Sequence, residues 1–407
     1  MIRFYLSCFL IFFAHRMFMY AVVLFGFEEF ASGTLAGTFH LGAYGPAVVL
    51  SVVVGVALDR LSRQRVLLAT IAALVICMSV MAVLSGQIDD ASNMPLLASL
   101  IAVTFVYGGF YVALRPSYYA VLALLASTQN LGRDTVSVSL VSSLAYPLSP
   151  VAVGLLRVPF DWPMIFALMA LLSTAALGLV FLSLRQVGTS SMPTDSGDSA
   201  TFIGDVAEIR RYLRDHPVIW QLLVLFSLIC LMIFGPFQVL IPALAADAMA
   251  LHETWQGVYM GLLGAGVVIG AIISYRLREV HAMGRLLIIT TVVGVVTSVL
   301  VPILSPLWSG LAILVASSCL GVVITLVTVV IQREVPEGLR GRLLGIYNSL
   351  FTGLTAVGGF AAGIASDFSP IPILIVVVSL SCFFGIFLCI AGGKQLRRYT
   401  TGSSTRG

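Results

Sequence analysis

Charge is scarce in this sequence. Of its 407 residues only 10% are Asp, Glu, Lys or Arg, where a soluble domain carries about 25%. With 59% hydrophobic residues and a mean hydropathy of +1.06, the chain cannot cover a water-facing surface. That excludes a soluble enzyme or a nucleic-acid-binding domain and leaves an integral membrane protein. Clustered cysteine is also missing. Cys8, Cys77, Cys230, Cys319, Cys382 and Cys389 lie singly in apolar runs, with no C-x-x-C and no His/Cys cluster. They read as small buried hydrophobes, neither disulfides nor metal ligands. No G-x-x-x-x-G-K is present, so no nucleotide drives the protein. No Ser/His/Asp or Cys/His arrangement suggests catalysis, and no cofactor is expected. No small-x-small cleavage pattern follows the first apolar residues, Phe4–Phe13, so the first run reads as an uncleaved helix.

Long apolar runs are abundant. Twelve can be marked: roughly 4–27, 34–57, 66–85, 95–116, 135–156, 161–184, 217–245, 255–276, 285–304, 307–331, 341–365 and 370–391. A membrane helix needs about 20 such residues. With the amino terminus inside, all but Arg16 and Arg157 of the 22 Lys and Arg residues fall on the cytoplasmic side. Glu28, Glu29, Asp89, Asp90, Asp161, Asp247, Glu253 and Asp367 fall at the outer loops and helix ends. This obeys the positive-inside rule at nearly every turn. The expectation is an all-α protein of twelve transmembrane helices in two pseudo-symmetric six-helix bundles, multi-pass, with both termini cytoplasmic.

Residues 185–216 form the one long loop. Gly188–Ser199 has the composition of a flexible linker, and Phe202–Arg214 has apolar residues at helical spacing, as in an amphipathic surface helix. The loop divides the chain into a bundle at 1–184, a linker at 185–216, a second bundle at 217–391 and a tail at 392–407. A weak repeat agrees with the division. Arg133 precedes Gly154 by 21 residues, and Arg342 precedes Gly363 by 21. Two equivalent halves imply alternating access about a site at their interface.

Between the second and third runs stands Gly55-x-x-x-Asp59-Arg60-Leu61-Ser62-Arg63-Gln64-Arg65. This pattern resembles the helix 2–3 loop of major facilitator superfamily transporters. Pro46, the stretch Arg211–Pro217 and the stretch Ile331–Tyr347 make the chain similar to the bacterial efflux branch that contains macrolide and enterobactin exporters. Ser62 stands where the motif usually has glycine, and Gln64 where a base is common. In the second half Gly270–Arg276 lacks the acid. Tyr146–Gly154 is a degraded version of the helix-five antiporter pattern. The resemblance implies that Asp59 latches a cytoplasmic gate with Gly55, Arg60, Arg63 and Arg65, beside the basic loop that carries Arg340 and Arg342. The plainer alternative is that these bases only fix topology. Asp59 also suits the amino-terminal end of helix eleven, where free amides favour negative charge.

His15 and Arg16 fall about 18 Å along the first span at 1.5 Å per residue, too deep for easy snorkelling. An arginine at the bilayer centre costs at least about 2.5–3.5 kcal/mol unless it meets partners or a wet cavity. Arg16 is therefore a candidate for binding an anionic or carboxylate-bearing substrate, and a structural arginine is the equal alternative. His15 beside it belongs to the residue type that titrates near neutral pH. Arg115, near the end of helix four, faces either an inner vestibule or the interface as an anchor. Gln238 and Asn348 bond either substrate or a neighbouring helix. No carboxylate lies clearly inside a span. Glu28, Glu29 and Asp247 are the only acids near an outer mouth, as proton-coupling candidates or as solvated helix ends.

The expectation from residues and resemblance together is a monomeric secondary transporter of the bacterial inner membrane. It exports a small organic molecule, such as a siderophore, drug or related metabolite, with protons as the coupling ion implied by the family. An importer or facilitator on the same fold and a non-transporting membrane sensor are the alternatives.

Overall fold

The structure, a computed structural model, describes residues 1–51, 54, 61–88, 93–127, 129–185, 202–277 and 283–392. Among the described residues it is helical, without strands. Six helices whose bounds are fully described come first: α1 (Ile2–Phe30), α2 (Gly33–Tyr44), α3 (Arg63–Ser85), α4 (Met94–Leu125), α5 (Leu131–Arg157) and α6 (Trp162–Leu184), and residues 46–51 are helical as well. The remaining seven are α7 (Phe202–Asp215), α8 (Pro217–Ala248), α9 (Glu253–Leu277), α10 (Met283–Leu300), α11 (Pro306–Glu334), α12 (Glu337–Ser366) and α13 (Ile371–Gly392). Eleven described helices are long and apolar enough to cross a membrane, all except α2 and α7. The expected second span, 34–57, begins in α2 and runs into 52–53 and 55–60, which lie outside the described residues.

The spans are apolar around most of their circumference, as helices buried in protein on one side and lipid on the other must be. Polar caps appear where chain ends meet water. Ser32 Oγ accepts from the Leu35 amide at 3.3 Å at the start of α2, and Asn93 Oδ1 accepts from the Leu96 amide at 3.2 Å at the start of α4. Prolines interrupt several spans: Pro116 in α4, Pro147 and Pro150 in α5, Pro236 and Pro242 in α8. A proline removes an amide donor and crowds the carbonyl four residues earlier. In α8 the consequence is visible. The helix widens into a π turn at Cys230–Phe234, just before Pro236, and again at Leu244–Ala248, just after Pro242.

The chain forms two compact units. The first contains Met1–Ser196 with Ala245–Gly261, and the second contains Gly197–Leu244 with Leu262–Gly407. In the first unit α1 packs against α2, α5 and α6, while α3 packs against α4 and α6. The most enclosed span is α1. In the second unit α8 packs against α12, and α10 against α11 and α13. The linker helix α7 lies against α8 and α12.

Glycines allow the closest approaches. In the first unit a Cβ on Gly154 of α5 would stand 2.6 Å from the Glu253 carbonyl oxygen and 3.0 Å from the Gly257 Cα. One on Gly261 would stand 2.8 Å from the Pro147 carbonyl. In the second unit one on Gly266 would stand 2.6 Å from the Leu314 carbonyl. The small-x-x-x-small stripes of α9 are therefore backbone-to-backbone seams, the packing such spacing permits in membranes.

Candidate functional site

The middle of α1 carries the least expected chemistry in the first unit. His15 is fully buried. Its Nδ1 lies 2.9 Å from the Tyr107 hydroxyl, and its ring stacks on Tyr111 with centroids 3.5 Å apart and planes 12° from parallel. Phe18, one turn on, stacks on Tyr107 at 4.0 Å. His15 Nε2 is buried and has no partner among the described residues.

Arg16 points into a tyrosine surround. Its Nη1 donates to the Tyr44 hydroxyl at 3.2 Å, and its Cζ lies 4.3 Å over the Tyr146 ring. Four helices supply this environment: α1 with His15 and Arg16, α2 with Tyr44, α4 with Tyr107 and Tyr111, and α5 with Tyr146. Among the described residues no carboxylate pairs with Arg16. A guanidinium stacked on an aromatic face is stabilised by the ring quadrupole, by about 0.5–2 kcal/mol. That compensates only part of the cost of holding a cation at this depth. Four of the five guanidinium N–H groups make no hydrogen bond to described residues. The arrangement has the planar donors that match a carboxylate or phosphate, and its net charge is positive.

The other acidic and basic candidates are dispersed. Glu28, near the end of α1, is exposed but paired. Its Oε2 accepts from Arg157 Nη2 at 2.6 Å and from Trp162 Nε1 at 3.1 Å, and Arg157 Cζ lies 4.4 Å over the Trp162 ring. These groups tie the ends of α1, α5 and α6 together. Glu29 and Asp247 are exposed, and no described contact joins either to Glu28. Arg115 is exposed, with its Cζ 5.9 Å from the Tyr119 ring. Gln238 is buried in α8, and Asn348 is exposed on α12. Both belong to the second unit.

Of the gating candidates, Gly55, Asp59 and Arg60 lie outside the described residues. Arg63 is half-buried at the start of α3, and Arg65 is exposed. Arg342 Nη1 donates to Glu208 of α7 at 2.8 Å, and Arg340 Nη2 donates to the Val335 carbonyl at 3.3 Å. Tyr212 of α7 donates its hydroxyl to the Glu334 carbonyl at 3.2 Å and stacks on His216 at 4.0 Å. Burial, then the nearby Glu334, pushes the Tyr212 phenol up from its ordinary range, so it stays a donor.

The tyrosines around Arg16 are what sequence reasoning missed. Tyr107 and Tyr111 are spaced four apart in an apolar helix, and Tyr146 directly precedes Pro147. That spacing is a usable signal only once an intramembrane arginine is in view.

The Major Facilitator Superfamily profile matches residues 4–359 of the chain. The chain belongs to the Major Facilitator Superfamily. It is thus a multi-pass membrane transporter, and solved structures of the superfamily share its fold. A mutant of the nucleoside transporter NupG aligns over 96% of this chain and 98% of its own, with 12% identity and a TM-score of 0.78. A bacterial homologue of the iron transporter ferroportin, inward-facing, aligns over 96% and 99% with 16% identity and a TM-score of 0.72. The inward-open xylose transporter XylE from E. coli aligns over 99% and 97% with 11% identity and a TM-score of 0.72. At such identities the likeness is one of fold alone. No curated protein sequence matches the chain.

Proposed function

We propose that this superfamily member exports a small organic anion, such as a siderophore, drug or related metabolite, across the bacterial inner membrane, with both termini cytoplasmic. The reading rests on one observation above the others. Arg16 is a cation deep in α1, ringed by Tyr44, Tyr111 and Tyr146, with no described carboxylate to neutralise it. A bound anion supplies the missing countercharge, and the tyrosine faces suit an aromatic or amphipathic body. The direction, and the efflux branch with it, comes from the resemblance of Gly55–Arg65 and Ile331–Tyr347 to that branch.

Alternating access needs gates. At one end we assign the latch to Asp59 with Arg60, Arg63 and Arg65, and we count Arg340 and Arg342 of the second unit among the gating residues. At the other end, the seam of Gly154 and Pro147 against Gly257 and Gly261 is a close contact that can separate without breaking hydrogen bonds. Glu28 is the strongest of the proton-coupling candidates, because a proton on its carboxylate removes the charge that holds Arg157.

The test is metabolic. In a strain lacking the gene, an anionic compound accumulates inside the cell, and the wild-type gene clears it. An Arg16→Gln gene, inserted at equal level, fails to clear it. Clearance by Arg16→Gln at the wild-type rate would remove the assignment. Depletion of the compound instead of build-up would reverse the direction and leave the site standing.

A further inference from the structure

Three elements of the second unit enclose an apolar groove of about 350 Å³, lined by Leu213 of α7, Trp220 and Ser227 of α8, and Ile346, Leu350 and Leu354 of α12. Ile346, Leu350 and Leu354 are four residues apart, so they form one stripe on α12, about 12 Å long at 1.5 Å per residue. Arg342 continues that stripe by one turn toward the start of the helix.

Basic residues converge at that end of the groove. Arg210 lies three residues before Leu213 and shares its side of α7. Arg214 follows Leu213 directly. Arg210, Arg211 and Arg214 are exposed, and among the described residues none of the three takes part in an ion pair. The buried Ile209 and the Tyr212 hydrogen bond to the Glu334 carbonyl hold α7 against the bundle, with the Arg342–Glu208 pair beside them, which keeps these arginines at the mouth. Trp220, 54% exposed in the first turns of α8, belongs to the residue type enriched at headgroup level.

We propose that this groove is a binding site for an anionic phospholipid, with one acyl chain along α8 and α12 and its phosphate between Arg210 and Arg214. Charge complementarity selects the occupant. An apolar trough alone suits any acyl chain, whereas the exposed guanidinium groups of Arg210 and Arg214, which take part in no ion pair among the described residues, select a headgroup with net negative charge. The site is separate from Arg16 and independent of the transport direction.

Native mass spectrometry of the full-length protein, equilibrated with equal amounts of the palmitoyl-oleoyl forms of phosphatidylglycerol and phosphatidylcholine, reads the site directly. At least one phosphatidylglycerol is retained in preference to phosphatidylcholine. The double variant Arg210→Gln/Arg214→Gln weakens phosphatidylglycerol binding about 30-fold, from the usual contribution of two basic side chains near an anionic surface. Ser227→Phe, which fills the groove and keeps every arginine, expels the same lipid. Monodisperse elution and an unchanged melting temperature show that the variants are folded. Equal retention of the two lipids, or phosphatidylglycerol binding unaltered in both variants, would overturn the proposal.

Discussion

At the scale of single residues, the deciding fact is that Arg16 has hydroxyl and aromatic partners but no described acid. Arginine differs from lysine here, because its planar group both stacks on Tyr146 and presents paired donors. Arg16→Lys should therefore keep some transport, with a raised KM, while Arg16→Gln should lose it by at least tenfold, the factor that follows from about 1.4 kcal/mol of lost anion binding. Transport assays on matched amounts of inserted protein check the order. Glu28 supplies a second residue-scale prediction. Its hydrogen bonds to Arg157 and Trp162 involve charged groups, each worth about 1.5–3 kcal/mol when well shielded. The Glu28 side chain is a quarter exposed, so the lower end applies. Glu28→Gln should lower the melting temperature slightly and weaken the response of transport to an imposed proton gradient. A normal response in that variant would return Glu28 to a purely structural role.

At the scale of elements, the seams explain why so many glycines stand in α9. Gly257 and Gly154 face each other so closely that any side chain meets backbone, not a flexible tip. Gly257→Leu should cost about 1–3 kcal/mol through overpacking, read as a lower melting temperature. Gly178, whose Cβ would meet nothing within 4 Å, should accept alanine without loss. The linker helix α7 behaves differently. Its Arg342–Glu208 pair is solvent-facing, with side chains 36% and 56% exposed, and exposed pairs contribute about 0–1 kcal/mol. Glu208→Gln should shift the melting point little, so α7 is held mainly by Ile209 and the Tyr212 hydrogen bond.

At the scale of the whole molecule, much was legible beforehand. The spans could be marked because length and hydropathy are strict requirements of a bilayer. The amphipathic stretch before α8 was visible from its spacing, and the superfamily from Gly55–Arg65. Other features were hidden for physical reasons. Tyrosines around Arg16 look like core aromatics until the fold brings α2, α4 and α5 to one point on α1. The Glu28–Arg157 pair was hidden because the two residues lie 129 apart in sequence. The compact units also differ in outline from the linker-based division, since Ala245–Gly261 groups with the first six helices. Sequence spacing alone carries no sign of that. Asp59→Asn belongs to this scale, because a latch acts on the molecule's switching and not on local stability. It should cut transport while leaving membrane insertion intact.

The most direct measurement of the central claim is uptake of the accumulated anion into inverted membrane vesicles that carry wild-type or Arg16→Gln protein in equal amounts. The account predicts saturable uptake by the wild type and uptake at the level of empty vesicles by the variant across the same concentration range. Equal KM and equal maximal rate in the two would contradict it.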